Sequence, residues 1–342
     1  MEKATPLGKP SWFAPHRLAL MTMWLVTTGA LVAMLLLGVR DTGRFRVARD
    51  VLQVAYVVAL LWYLGRTGPA LSELPALEPL LLPRRSIGRW IPVAGVALLF
   101  AWTALSGDHA IILRLLMMVA TVPILVVWRR GIRWRPAIVG LVVAGIALLG
   151  GLPFWRNDLL GPFTFVSLLA FTPLMFVAGG LLTQRTGLGG SPLHAGRYGK
   201  ALASLLWGCL LFVPLGLLNA ASGSPGGGMT WVDRWWMPLS LPWFSGITEE
   251  AWFRLFLVSL CYLLLRPALQ DPAPPVVLAI LFSAITFGLG HGPTFDHFFY
   301  TGLLYGLPMA VVFARRDWEH AVGAHYMINM IPWTMVFLET RR

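Results

Sequence analysis

Long apolar runs broken by short polar punctuation set the rhythm of this 342-residue chain. The first spans Leu18 to Val39. Ten more follow, at approximately 51–65, 91–106, 110–128, 136–154, 161–183, 201–222, 242–265, 274–292, 295–314 and 318–338. An α-helix rises 1.5 Å per residue, so about 20 apolar residues cross a bilayer core. Most of the runs meet that length, and 51–65 and 91–106 fall short. The breaks "RRGIRWRP" (129–136), "SGSPGGGMT" (222–230) and "RPALQDPAPP" (266–275) carry the Gly, Pro and polar residues that end helices. No repeat or heptad is visible, and no stretch reads as a soluble domain. The pattern predicts an all-α fold, a polytopic transmembrane helix bundle of about 10–11 spans. The first run, preceded by Lys3, Lys9 and Arg17, is too long for a signal-peptide core and ends without a small-residue cleavage pattern. It is expected to stay as a transmembrane helix.

Composition sharpens this picture. Hydrophobic residues make up 57% of the chain and charged residues 12%, with mean hydropathy +0.70. A soluble domain carries about 25% charge, so the chain belongs in a lipid bilayer as a multi-pass protein. Sixteen tryptophans suit the headgroup level on both sides. The net charge of +12 resides in short connections and not on one soluble face, so no nucleic-acid partner is expected. Cys209 and Cys261 lie inside apolar runs without a neighbouring base, which argues against a disulfide framework or a thiol nucleophile.

Lys and Arg also orient the bundle. Arg129, Arg130, Arg133 and Arg135 follow the fourth run, Arg185, Arg197 and Lys200 the sixth, and Arg315 and Arg316 the tenth. Connections after the third and ninth runs have none, and those after the fifth and seventh have only Arg156 and Arg234. The positive-inside rule places the even-numbered connections and the N-terminus in the cytoplasm. Arg40, Arg44, Arg46 and Arg49 dissent, and the short second run is expected to lie at the surface or re-enter.

Charge inside the apolar runs is the feature that points to chemistry, because an ionised group at the bilayer centre costs about 3 kcal/mol even on insertion scales. "GITEEAWFRLFL" (246–257) holds Glu249, Glu250 and Arg254. His291 ends the ninth run, and His325 and Asn329 lie in the eleventh. Glu250 and Arg254 are four apart and share a helix face, where they can pair. Glu249 is rotated about 100° from Glu250 and is left to face another cavity. His325 and Asn329 are also four apart and project together; Phe287 and His291 repeat the spacing. A carboxylate, two imidazoles and an amide in a low-dielectric pocket are parts for activating a water and steadying the resulting oxyanion. Arg114 sits near the start of its run, where it can snorkel, and Asp296, His297 and His320 read as interfacial.

The helical zinc-protease run H-E-x-x-H is absent, "GLGH" (288–291) lacks the aspartate of presenilin-like proteases, and no rhomboid-type G-x-S-G occurs. What remains is "EEAWFR" (249–254), "FGLGH" (287–291) and "HYMIN" (325–329), in order on three runs. This triple pattern resembles the CPBP family, intramembrane proteases that process CAAX proteins and bacteriocins and are related to the Ras-converting CAAX endopeptidase. The resemblance covers about residues 200–340. It implies a catalytic helical region at 201–340, beside an N-terminal transmembrane region at 1–200 of unassigned role. It further implies a glutamate-type endopeptidase in which Glu249 and His291 activate water, His325 and Asn329 form the oxyanion site, and Glu250 and Arg254 support them. No cofactor or metal is then needed. The alternative of the same residues holding zinc stays open.

If the loop charges orient the bundle correctly, the site sits in the outer half of the membrane. A membrane-anchored protein or peptide tail displayed outside fits that placement better than a prenylated cytosolic tail, as in the C-terminal processing ascribed to bacterial relatives. A bacterial inner membrane is the expected location. The rival reading is a transport, scaffold or immunity protein of the same fold. Against it, the chain has no internal repeat and every motif position is filled.

Overall fold

The computed structural model describes residues 14–36, 43–75, 94, 95, 98, 109–157, 161–222, 231–269 and 271–341. Among these residues all regular structure is helical. The helices are α1 (Pro15–Leu36), α2 (Gly43–Thr67), α3 (His109–Val127), α4 (Trp134–Arg156), α5 (Pro162–Thr186) and α6 (Tyr198–Ala221). Next, α7 (Met237–Glu249) runs without a break into a π-helical stretch (Glu250–Val258) and on into α8 (Ser259–Leu265). After α9 (Ala273–Leu289), a second π stretch (His297–Gly306) continues into α10 (Leu307–Arg315), and α11 (Trp318–Thr340) closes the bundle. Among the described residues seven helices are long and apolar enough to cross a membrane, and Leu115–Val127 and Ala273–Leu289 are shorter apolar helices. The protein is an integral, multi-pass, all-α membrane protein. Ten of the eleven apolar runs fall on helices; the run 91–106 lies outside the described residues except at positions 94, 95 and 98.

The second run differs from its expectation. It belongs to a 25-residue helix, because Gly43–Asp50 extend it with polar residues that the hydropathy window excludes. Arg49 pairs with Asp50 at 2.7 Å, and Asp50 accepts a hydrogen bond from the Tyr300 hydroxyl at 3.2 Å. At its other end, Arg315 donates to the carbonyls of Leu64, Gly65 and Gly68. α2 therefore lies parallel to the second π stretch and α10 as a full crossing.

Small residues set the closest approaches, as expected where lipid and side chains are equally apolar and association depends on packing. A Cβ on Gly323 would overlap the Leu205 carbonyl, and one on Gly208 would overlap that of His320, so α6 and α11 touch backbone to backbone. Gly150 similarly brings α4 against the Ser240 carbonyl of α7. These contacts fix the depth of α7 and α11, which carry most of the polar residues.

The start of α11 is tied down separately. Asp317 caps it, accepting from the His320 backbone N–H at 3.0 Å, its ring Nδ1 at 2.8 Å and the Ser204 hydroxyl at 2.8 Å. Burial works to raise the Asp317 carboxyl, and the bonds and charge of His320 outweigh it, holding the group below the usual carboxylate range. Buried Glu319 accepts from the Ser191 hydroxyl (2.6 Å) and the Leu193 N–H (2.8 Å), which fastens the loop after α5. That loop begins at Gly187, whose φ of 69° caps α5 in the left-handed conformation. In the loop, His194 packs against Gly180. Burial, reinforced by the Arg133 charge, pushes its imidazole down to about 4. His320, expected to be merely interfacial, is part of this anchor.

Candidate active site

Glu249 is the last α-helical residue of α7, and Glu250 opens the π stretch. A π-helix closes i→i+5 bonds and so turns more widely than an α-helix, and such stretches concentrate at functional sites. Here the widened turn brings both carboxylates to one imidazole. His325 Nδ1 lies 2.8 Å from Glu250 Oε1, and His325 Nε2 lies 3.7 Å from Glu249 Oε2. Sequence spacing had given Glu250 to Arg254 alone, and the structure adds His325 as its second partner.

Arg254 and Glu250 are both fully buried, with Nε 3.2 Å from Oε2. The guanidinium donates to the Gly306 carbonyl at 3.3 Å and stands 4.3 Å over the Phe287 ring. Gly306 ends the second π stretch, so this one side chain joins the two π stretches. Phe287 also meets His291 at 4.9 Å and His325 at 5.7 Å between ring centroids, edge to face in both cases. The aromatic that precedes His291 by one turn is thus the apolar floor of the site.

His291 lies just past α9, its N–H bonded to the Gly288 carbonyl. Its Nδ1 is 2.9 Å from the Phe287 carbonyl, an acceptor only, which assigns the proton to Nδ1 and leaves Nε2 facing Glu249 at 3.9 Å. The next turn passes through Gly292 at φ 154°, where a Cβ would strike the His297 ring. Exposure grades inward: His291 has 42% of its side chain exposed, Glu249 27% and His325 5%. The mouth is therefore at His291.

His291 and His325, each with Nδ1 engaged elsewhere, turn their Nε2 atoms toward Glu249. Glu249 Oε2 itself has no hydrogen-bond partner. At 3.9 and 3.7 Å from Glu249 the two rings are too far away for a direct hydrogen bond. A water, with two O–H donors, is the small molecule that satisfies such a gap. Among the described residues no group of three His, Cys, Asp or Glu is arranged to hold a metal ion.

Asn329 does not join this set directly. Its Nδ2 donates to the Ser245 hydroxyl at 2.8 Å, one helical turn along both helices from the Glu249–His325 approach. Sequence reading missed Ser245. The signal available was its spacing of four from Glu249, which puts both on one face of α7. Asp296 and His297 lie at the start of the second π stretch, with the His297 Nδ1 3.0 Å from the Thr294 hydroxyl. The side chain of Arg114 falls outside the described residues.

Residues 231–331 match a family model described as type II CAAX prenyl endopeptidase Rce1-like. No curated protein and no solved structure gives a match to the chain. The matched segment is under a third of the chain and contains all three motifs, from Glu249 to Asn329. Over residues 231–331 the match is consistent with the CAAX-protease family of membrane endopeptidases that the three motifs resemble.

Proposed function

We propose that the protein is a glutamate-type intramembrane endopeptidase that cleaves the tail of a membrane-anchored protein or peptide. The observation that carries the reading is the gap that Glu249, His291 and His325 enclose, one turn from the Asn329 amide. Glu249 removes a proton from a water held there, and His291 orients that water through Nε2. The hydroxide attacks the scissile carbonyl, and as the C–N bond of the tetrahedral intermediate breaks, the proton taken by Glu249 passes to the departing amine. His325, held at Nδ1 by Glu250, acts in its imidazolium form and donates from Nε2 to the oxyanion, together with the Asn329 amide. Arg254 pairs with Glu250 and holds it in place for that task. The helices of the region 1–200 act as a framework around the catalytic region 201–340.

The loop charges favour a site opening on the outer side. The end opposite the mouth carries Arg129, Arg130, Arg133, Arg135, Arg185, Arg197, Lys200, Arg315 and Arg316, against Arg46 and Arg49 at the start of α2 on the mouth end. The placement fits a tail displayed outside a bacterial inner membrane.

Purified protein in proteoliposomes, given two probes, tests the reading. One is an S-farnesylated CAAX peptide, and the other is a peptide with a transmembrane anchor and a randomised C-terminal tail, with products read by mass spectrometry. Wild type should cleave at least one probe, with the second preferred. Glu249→Gln and His291→Ala should each lose a factor of about 10²–10⁴. Equal cleavage by these variants, or no cleavage of either probe by wild type, overturns the proposal. Activity surviving a chelator favours the metal-free route, and activity lost to chelation and restored by zinc overturns it.

A further inference from the structure

We infer that Ser245, a residue outside the three motifs, is a second oxyanion donor that works beside Asn329. The inference rests on the endopeptidase reading above. α7 and α11 run antiparallel and face each other through a ladder of two polar rungs. The inner rung is Glu249 with His325, Oε2 to Nε2 at 3.7 Å. The outer rung is Ser245 with Asn329, Oγ to Nδ2 at 2.8 Å. Four residues separate the rungs on each helix, which is about 6 Å of rise. Gly246 allows the approach: a Cβ there would sit 3.5 Å from the Val322 carbonyl, so the two backbones lie close without clashing.

Hydrogen-bond bookkeeping on the outer rung leaves two donors. Asn329 Nδ2 carries two hydrogens and uses one on Ser245. Ser245 accepts that hydrogen with a lone pair, so its own O–H is not spent on Asn329. The nearest acceptor for it is the Pro242 carbonyl at 3.5 Å, the limit of a hydrogen bond. Both residues are half-buried. A carbonyl attacked from the Glu249 rung develops its negative charge on an oxygen that can point to the Ser245–Asn329 rung. There it meets one O–H and one N–H, already polarised in the same direction by their mutual bond. No bond to Ser245 forms or breaks, because no base stands within reach to make it a nucleophile among the groups bonded to it.

The test uses Ser245→Ala and Ser245→Thr in the proteoliposome assay, with a phosphinic analogue of whichever probe sequence wild type cleaves. The Ala variant should lose about 10–10² in kcat, below the larger loss typical of a backbone or amide donor, with KM within about threefold. Affinity for the tetrahedral analogue should fall by the same factor, and Thr, which keeps the hydroxyl, should recover most of both. A residue that only braced Asn329 in the fold would lower thermal stability without this parallel loss. Wild-type kcat in Ser245→Ala, or a loss confined to KM with analogue affinity unchanged, overturns the inference. If Glu249→Gln cleaves like wild type, or wild type cleaves neither probe, the endopeptidase reading fails and takes the inference with it. If Glu249→Gln is inactive and Ser245→Ala is not, the inference alone fails.

Discussion

Replacing Arg254 by Met removes the guanidinium in contact with a carboxylate that is itself 0% exposed. Glu250 then keeps His325 at 2.8 Å, and the Gly306 carbonyl loses its side-chain donor. Breaking one side of a buried pair costs about 3–5 kcal/mol, because the remaining charge stays desolvated. Glu250→Leu alone should cost a similar amount, since it strands the guanidinium over Phe287. The double variant Glu250→Leu/Arg254→Met removes both charges and fills the space with apolar atoms. What it leaves is one neutral orphan, the His325 Nδ1–H, at about 1–3 kcal/mol. Removing the desolvation of two ions, several kcal/mol each, works against that loss.

The double variant is therefore expected to be no less stable than the worse single, which gives a coupling of about 3 kcal/mol or more. Thermal unfolding of the four proteins in one detergent measures it, on a scale of roughly 2 °C per kcal/mol for a chain of this size. Cleavage should be strongly reduced in all three variants, since His325 loses either its acceptor or that acceptor's charge. Stability losses that simply add in the double variant would refute the reasoning: Glu250 and Arg254 would then be separate, and the support assigned to the pair would go.

Three further outcomes follow from other parts of the bundle. His194, held neutral down to about pH 4 against an ordinary 6.5, lets the unfolded chain bind the extra proton as pH falls through 6.5. Its contribution is complete above 6.5 and is lost towards 4, about 3 kcal/mol in total; the melting temperature of His194→Phe should fall less over that range than that of wild type. Gly323→Val must push α11 off the Leu205 carbonyl two residues before His325, costing about 1–3 kcal/mol and most of the activity. Melting and cleavage curves check both losses. Reporter fusions in the 129–133 connection should report cytoplasm, and fusions in the 290–296 turn the outside; the reverse result moves the site to the cytosolic half.

The type and placement of the described helices were legible because a membrane makes hydropathy close to a length measurement. Where that measure failed, at α2, the helix was extended by a polar turn in which Arg49 and Asp50 pair and Asp50 accepts from Tyr300. The candidate site was legible for a related reason. Charge is so costly in hydrocarbon that Glu249, Glu250 and Arg254 stand out against their neighbours without any structure. Ser245 was invisible on that test, since a hydroxyl in a membrane helix can bond its own backbone at little cost and carries no signal.

The π stretch was also beyond reach, and it changes what the two glutamates can do. On a regular α-helix adjacent residues point about 100° apart, which assigns Glu249 and Glu250 to different neighbours. At the junction of α7 with the π stretch they meet the two nitrogens of one ring: Glu250 at Nδ1 and Glu249 at Nε2. His325 is then the hinge of the site. Through Nδ1 it touches Glu250, which Arg254 holds, and through Nε2 it faces the gap beside Glu249. In the proposed reaction His325 serves the oxyanion, so the buried pair would position the donor. On that proposal two adjacent carboxylates in an apolar helix have separate tasks: one faces the water, and the other sets the ring that both of them approach.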